Sequence, residues 1–255
     1  MKKRIIPFLL AFVFAMNATA ASRRNALGAF TNITIPVMAN TAGLQGSFFR
    51  TRVAILNPTQ LSYSIDATLF SNAGQVAKAT INMAPGQVRN YENFLQQIFN
   101  FTGAGAVEFD SLSGAQGGST GRDFIVTSEV YTDGPGGSYK TVVSSGPSLE
   151  DTLPDFDNFS LGINVNANSR ANVGAFNSSA GANEINADVY DSSGTLLNTV
   201  TLTLAAKTWN QVVVPVNVTG GFIKWRLQSA AFCYAVVVDN RSNDGTFIPA
   251  SDYVP

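Results

Sequence analysis

The 255-residue sequence contains no histidine and a single cysteine. Without imidazole there is no Ser-His-Asp or Cys-His nucleophile system and no histidine-ligated metal. The one thiol, Cys233, cannot form an intramolecular disulfide, so stability has to come from burial. Set in an apolar run, it reads as a small core residue, the alternative being a bond to a thiol of another chain. Charge is scarce too. Only 13% of residues are Asp, Glu, Lys or Arg, and the net charge is -1. Beyond the first few residues no Lys/Arg cluster stands out to neutralise phosphates, which argues against a nucleic-acid binder. Beyond residue 20 no stretch approaches the roughly 20 apolar residues of a membrane helix. Glycines at Gly103 and Gly105, and again at Gly134, Gly136 and Gly137, are not followed by a helical pattern, so they are turns and not phosphate cradles.

What is present begins with Lys2, Lys3 and Arg4, an apolar run over 5–15, and Ala18-Thr19-Ala20, the three parts of a secretory signal peptide. We expect residues 1–20 to be removed, residues 21–30 to be a polar leader, and the mature chain to be secreted or periplasmic. The remaining length suits two domains of about 100–200 residues each.

A repeat supports that division. The stretch 50–74 returns at 170–194, with Arg170 for Arg50, Val173 for Val53, Asn177 for Asn57, Ile185 for Ile65, Ala187 for Ala67, Tyr190 for Phe70 and Gly194 for Gly74. Short runs alternating apolar and polar residues, separated by Gly, Pro, Asn and Ser, predict about eight strands per copy. In the first copy the strands are 31–37 with Pro36 at an edge, 48–56, 62–70, 75–83, 105–111, 124–131 and 138–143. The pair 105–111 and 124–131 is expected to form a hairpin across the Gly/Ser-rich connection 112–121. One short helix is expected within 90–99, capped by Asn90. In the second copy the strands are 159–165, 170–177, 185–190, 196–204, 208–214, 221–227, 232–239 and 246–248. A constant interval carries the correspondence to the end, pairing Phe124 with Phe232 and Tyr139 with Phe247. The pattern predicts an all-β protein: two tandem antiparallel β-sandwiches of immunoglobulin-like type, at 31–145 and 158–255, joined by a linker at 146–157.

Arg50-Thr51 leading to Asn57-Pro58, Pro85-Gly86, Asn93-Phe94-Leu95 before Phe101-Thr102-Gly103-Ala104-Gly105, Tyr131-Thr132 with Gly137-Ser138-Tyr139, and the ending from Tyr234 through Asp239-Asn240-Arg241 to Ala250 together resemble uncharacterised tandem β-sandwich repeat domains of secreted bacterial proteins. Such domains also occur as appendages of exported proteases and surface proteins. The motifs that carry the resemblance are structural, and the family brings no catalytic or binding residues to carry over.

Chemistry in the remaining residues is limited. Glu108, Asp110, Asp123 and Glu129 are the acids that a carboxylate-dependent glycoside hydrolase would need, but strand alternation puts Glu108 on a solvent face, and the second copy has Lys224 and Val237 in place of Glu108 and Glu129. Asp239, Asn243 and Asp244 before Gly245 offer oxygens to calcium, yet Arg241 stands where a ligand is wanted, so an Asp-Gly turn is the reading. Tyr131, Tyr139, Trp209 and Trp225 are candidates for stacking on sugars; Trp225, in step with Ile223 and Leu227, reads as core. No catalytic, cofactor-binding or metal residue is therefore assigned, and no cofactor is expected. The expected function is a non-catalytic binding or assembly module for an extracellular protein or glycan. Its contacts would be the loops 112–121 and 133–137, or edge strands that pair with another copy. An accessory carbohydrate-binding protein or glycoside hydrolase is the alternative.

Overall fold

The computed structural model describes residues 32–111, 124–134, 137–144 and 152–253. The signal peptide, the leader, the connection 112–121, Asp123 and the start of the linker lie outside them. The described chain is all-β apart from two short turns of helix, and all its strand pairings are antiparallel, in sandwich-like layers.

In the first half, β1 (Asn32–Ala42), β2 (Phe48–Leu56), β3 (Tyr63–Ser71), β4 (Gly74–Met83) and β5 (Val88–Tyr91) precede helix α1 (Phe94–Phe99), and β6 (Gly103–Ser111), β7 (Ile125–Gly134) and β8 (Gly137–Val143) follow it. One layer runs β4-β3-β6-β1; the other is built on β2, which pairs with β7 and β5, while β7 pairs with β8. β1 joins the layers: its first part pairs with β6 and its last three residues with β2. The β1–β6 ladder is interrupted by a bulge between Ile35 and Met38, where Pro36 has no amide hydrogen to give it. Inward residues alternate along each strand, as in Ile65, Ala67 and Leu69 of β3 and Val107 and Phe109 of β6, all shielded from solvent.

In the second half, β9 (Asp157–Val165), β10 (Ser169–Phe176), β11 (Asn183–Tyr190), β12 (Leu196–Leu204), β13 (Trp209–Val213), β14 (Val218–Leu227), β15 (Phe232–Asp239), β16 (Gly245–Pro249) and β17 (Ser251–Tyr253) form two sheets, β13-β10-β15-β16 and β12-β11-β14-β9-β17. Ile163, Val173, Ile185, Ile223, Trp225 and Cys233 fill the space between them.

The hairpins β3-β4 and β11-β12 turn where the sequence places Gly74 and Gly194, at φ 90° and 85°. Behind each pair an asparagine ties the loop. Asn57 Nδ2 donates to the carbonyls of Leu61 and Ala84, both at 2.8 Å, and its Oδ1 accepts from the Thr59 amide and hydroxyl. Asn177 does the same with Gly181, Ala205 and Ser179. Both side chains are fully buried, so these hydrogen bonds replace those that water cannot make to them.

Four expectations are corrected. β6 and β7 do not form a hairpin: β6 pairs with β1 and β3, β7 with β2 and β8. Asn90 lies in β5, where it pairs with Ala54, and the helix is capped by Asn93, whose side chain accepts the Gln96 amide. The linker shortens, because Thr152 is buried and exchanges two backbone hydrogen bonds with Ala231, at 2.7 and 3.1 Å, and so belongs to the second half. The constant interval also fails at β15. Leu56 faces Ile125 whereas Phe176 faces Phe232, which puts Phe232 in the position of Ile125 and Val236 in that of Glu129. The shift has a physical meaning. Ile125 is 47% exposed and Phe232 only 8%, because the face left open in the first half is the one the second half uses for docking.

Candidate functional site

The outer face of the sheet β13-β10-β15-β16 packs on the first half. Phe176, Trp209, Phe232 and Tyr234 belong to the same continuous apolar cluster as Ile35, Phe70 and Val143. Phe176 meets Phe70 at 5.1 Å between ring centroids and stacks with Phe232 at 6.4 Å. Lys207 Nζ reaches Glu108 Oε1 at 2.8 Å across the seam and lies over the Phe176 ring. The Lys207 backbone sits at φ 53°, a left-handed conformation held by its amide bond to the Asn177 carbonyl. At the other margin the Phe247 amide donates to Thr141 Oγ1 at 3.0 Å.

Inside the seam a short polar chain survives among the rings. Trp209 Nε1 donates to Tyr234 Oη at 2.9 Å, and that hydroxyl donates to Gln211 Oε1 at 3.1 Å. The indole N–H and the phenol thereby each have a partner, the condition for burying them. Burial pushes the Tyr234 phenol well above its ordinary range, so it stays a neutral donor. Gly174 underlies the Tyr234 ring, and any side chain at 174 would collide with it.

Beside this chain lies a cavity of about 140 Å³. Its walls are mostly apolar: Val37 and Ala39 of β1, Val130 and Val143 of β7 and β8, Val236 and Phe247 of β15 and β16, and the indole of Trp209. Arg170, Asn172, Gln211 and Asn243, with Thr41 and Thr141, supply its polar groups. Arg170 donates to Asn240 Oδ1 at 2.9 Å and to Asn243 Oδ1 at 2.8 Å, and desolvation draws its pKa below the usual value.

The acids singled out by sequence do not converge. Glu108 is not on a solvent face; it is committed to Lys207 in the seam. Glu129 is held between Arg52 at 3.2 Å and Lys140 at 3.1 Å on the other layer. Asp110 lies directly opposite Asp66, a residue that sequence reasoning passed over. Burial and the Asp66 charge push the Asp110 carboxyl up, while the hydrogen bonds of Lys78 and Thr80 hold Asp66 down. Neither carboxylate lines the seam cavity. Asp239 Oδ1 accepts the amides of Arg241 and Ser242 and the Ser242 hydroxyl, the signature of a self-capped turn opening β16. Among the described residues no group of three or more Cys, Asp or Glu is placed to hold a metal.

Cys233 is buried between the sheets of the second half. Trp225 is core, its Nε1 donating to Ser160 Oγ at 3.0 Å. Tyr131 is buried beneath Arg52, Trp209 faces the seam, and Tyr139 lines the cavity, so none of the four aromatics forms an open stacking platform. The sequence held one signal for the seam. The run 232–238 is apolar at successive positions, which marks a strand covered on both faces.

No family model and no curated protein match the chain. Solved structures of Bacteroides uniformis β-glucuronidase align with it at a TM-score of 0.16. A calcium-binding mutant of β-glucuronidase 2 is 13% identical, over 88% of this chain and 26% of that one. A second β-glucuronidase is 12% identical, over 81% and 25%. The chain thus spans about a quarter of those proteins' length, and a likeness of this size carries no argument about activity.

Proposed function

We propose that the chain is an exported, non-catalytic recognition module: two tandem immunoglobulin-like β-sandwiches, docked at a fixed angle, that present loops to an extracellular or periplasmic protein or glycan. The observation that carries this reading is how the carboxylates are spent. Glu108 and Glu129 sit on different layers, Glu108 closed by Lys207 of the turn before β13 and Glu129 by Arg52 of β2. The same ion pair between Lys207 and Glu108 helps fix the orientation of the halves, a structural use of the residue a hydrolase would need free. Support for the tandem reading comes from the strand partners: β2 lies between β5 and β7 as β10 lies between β13 and β15, and β3 between β4 and β6 as β11 between β12 and β14. The leader argues for export. The loops at 112–121 and 133–137 are the proposed contacts. Pro36 is buried, so homotypic pairing would have to use another edge, such as β4 or β12.

A second reading, the carboxylate-dependent glycosidase, rests on the facing pair Asp66 and Asp110 with their opposed pKa shifts. Capture of defined glycans and envelope proteins by the mature chain, with and without residues 113–120, separates the two. The recognition reading expects capture that falls on deletion while the melting midpoint holds. Hydrolysis that disappears in Asp110→Asn or Asp66→Asn would replace it with the enzyme.

A further inference from the structure

The two halves treat equivalent arginines differently. In the first half Arg50 pairs with the carboxylate of Asp133 at 3.0 Å. Arg170 stands in its place in the second half, and the strand registers that set Arg50 opposite Tyr131 and Arg170 opposite Val238 put Asn240 where Asp133 would be. An amide has replaced the acid. Arg170 still makes two hydrogen bonds, to Asn240 and Asn243, but both acceptors are neutral, and no carboxylate among the described residues pairs with it. Asp239, the acid that does act on it, spends one carboxylate oxygen on its own turn. A guanidinium has five N–H donors, so donors remain after those two bonds.

Arg50 is a third exposed at the surface, whereas Arg170 lines the seam cavity. A partly desolvated cation with only amide partners favours an incoming anion, since a charge-assisted bond is about twice as strong as a neutral one. Most of the remaining wall is apolar and aromatic. At about 140 Å³ it is close to the roughly 150 Å³ apolar cavity that admits benzene.

We propose that the seam cavity binds a small carboxylate with a benzene-sized apolar body, its carboxylate on the Arg170 guanidinium and its body between Trp209 and Phe247. Gln211 and Asn172 are the further polar groups of the wall that can meet the anion. The site depends on the docking of the two halves and is independent of export or of a macromolecular partner. Its ligand would stabilise the docked arrangement, because both halves contribute walls.

Benzoate and its neutral counterpart benzyl alcohol, titrated by calorimetry into the full mature chain, test the proposal. Benzoate should bind saturably and about tenfold or more tightly than benzyl alcohol, the margin of one charge-assisted contact. Asn240→Asp restores the first-half pairing, so it should erase that margin, leave benzyl alcohol unchanged and keep the melting midpoint. Arg170→Met should do the same to benzoate if it folds; Asn240→Asp carries the test if it does not. Absence of saturable benzoate binding, equal affinity for the two compounds, or undiminished benzoate binding by Asn240→Asp each overturns the proposal.

Discussion

Replacing Asn177 by alanine should be among the most damaging single changes available in the second half. Its side chain is fully buried and bridges the loop after β10 to the turn before β13. Nδ2 donates to the Gly181 and Ala205 carbonyls, each at 2.8 Å, and Oδ1 accepts from Ser179 Oγ at 2.7 Å. Truncation removes the hydrogen bonds to the Gly181 and Ala205 carbonyls and those from the Ser179 amide and hydroxyl, although the two carbonyls keep Ser179 Oγ and Thr208 Oγ1 as donors. At about 0.5–1.5 kcal/mol for each of those four hydrogen bonds, the loss is about 2–6 kcal/mol, much of the stability of an ordinary domain. Asn177→Asp should fare no better, because it turns a second acceptor toward the same carbonyls. Urea unfolding followed by tryptophan emission measures the effect, with exposed Asn217→Ala as the reference for a harmless substitution. A shift of less than about 1 kcal/mol for Asn177→Ala, or one equal to the reference, would refute the claim that this asparagine closes the loop.

Gly74→Ala and Gly194→Ala should each destabilise by about 1 kcal/mol or more, because their positive φ admits no side chain without strain; unchanged melting midpoints in both would contradict the hairpin geometry. Phe176→Ala should cost about 3–5 kcal/mol and split the calorimetric transition in two by emptying the seam, while a single sharp transition at the original midpoint would mean the halves do not depend on it. Asp188 is held below the usual carboxylate range by its hydrogen bonds to Arg226, and Asp66 by its bond to Lys78. Lowered folded pKa values stabilise the protein above the unfolded carboxylate pKa of about 3.9 and lose that contribution as pH falls through the folded values. Asp188→Asn should therefore reduce stability at pH 7 and flatten its decline below about pH 4; an unaltered pH profile would show that the pair adds nothing.

Much of the fold was legible because strands with one covered face declare themselves by alternation. Ile65, Ala67 and Leu69 face inward and Asp66 and Thr68 do not, and the glycine turns set where each hairpin reverses. Long-range pairing was less visible. Nothing local distinguishes a hairpin between β6 and β7 from a crossing between layers, since the choice is made by β1 and β3 competing for the edges of β6. The seam escaped for a related reason. Glu108 looks like a solvent residue on any single strand, and only the docking of Lys207, nearly 100 positions later, puts it at an interface. Arg170 was visible as a repeat of Arg50, but the exchange of Asp133 for Asn240 needed the hydrogen-bond register, which the constant interval misplaced by one residue.

The most direct test of the recognition reading is to incubate the mature chain with a panel of polysaccharides and envelope fragments and to weigh each bound ligand by mass spectrometry before and after. A non-catalytic module returns every captured ligand at its original mass. A ligand recovered in shorter pieces, with cleavage lost in Glu108→Gln, Glu129→Gln or Asp110→Asn, would contradict it.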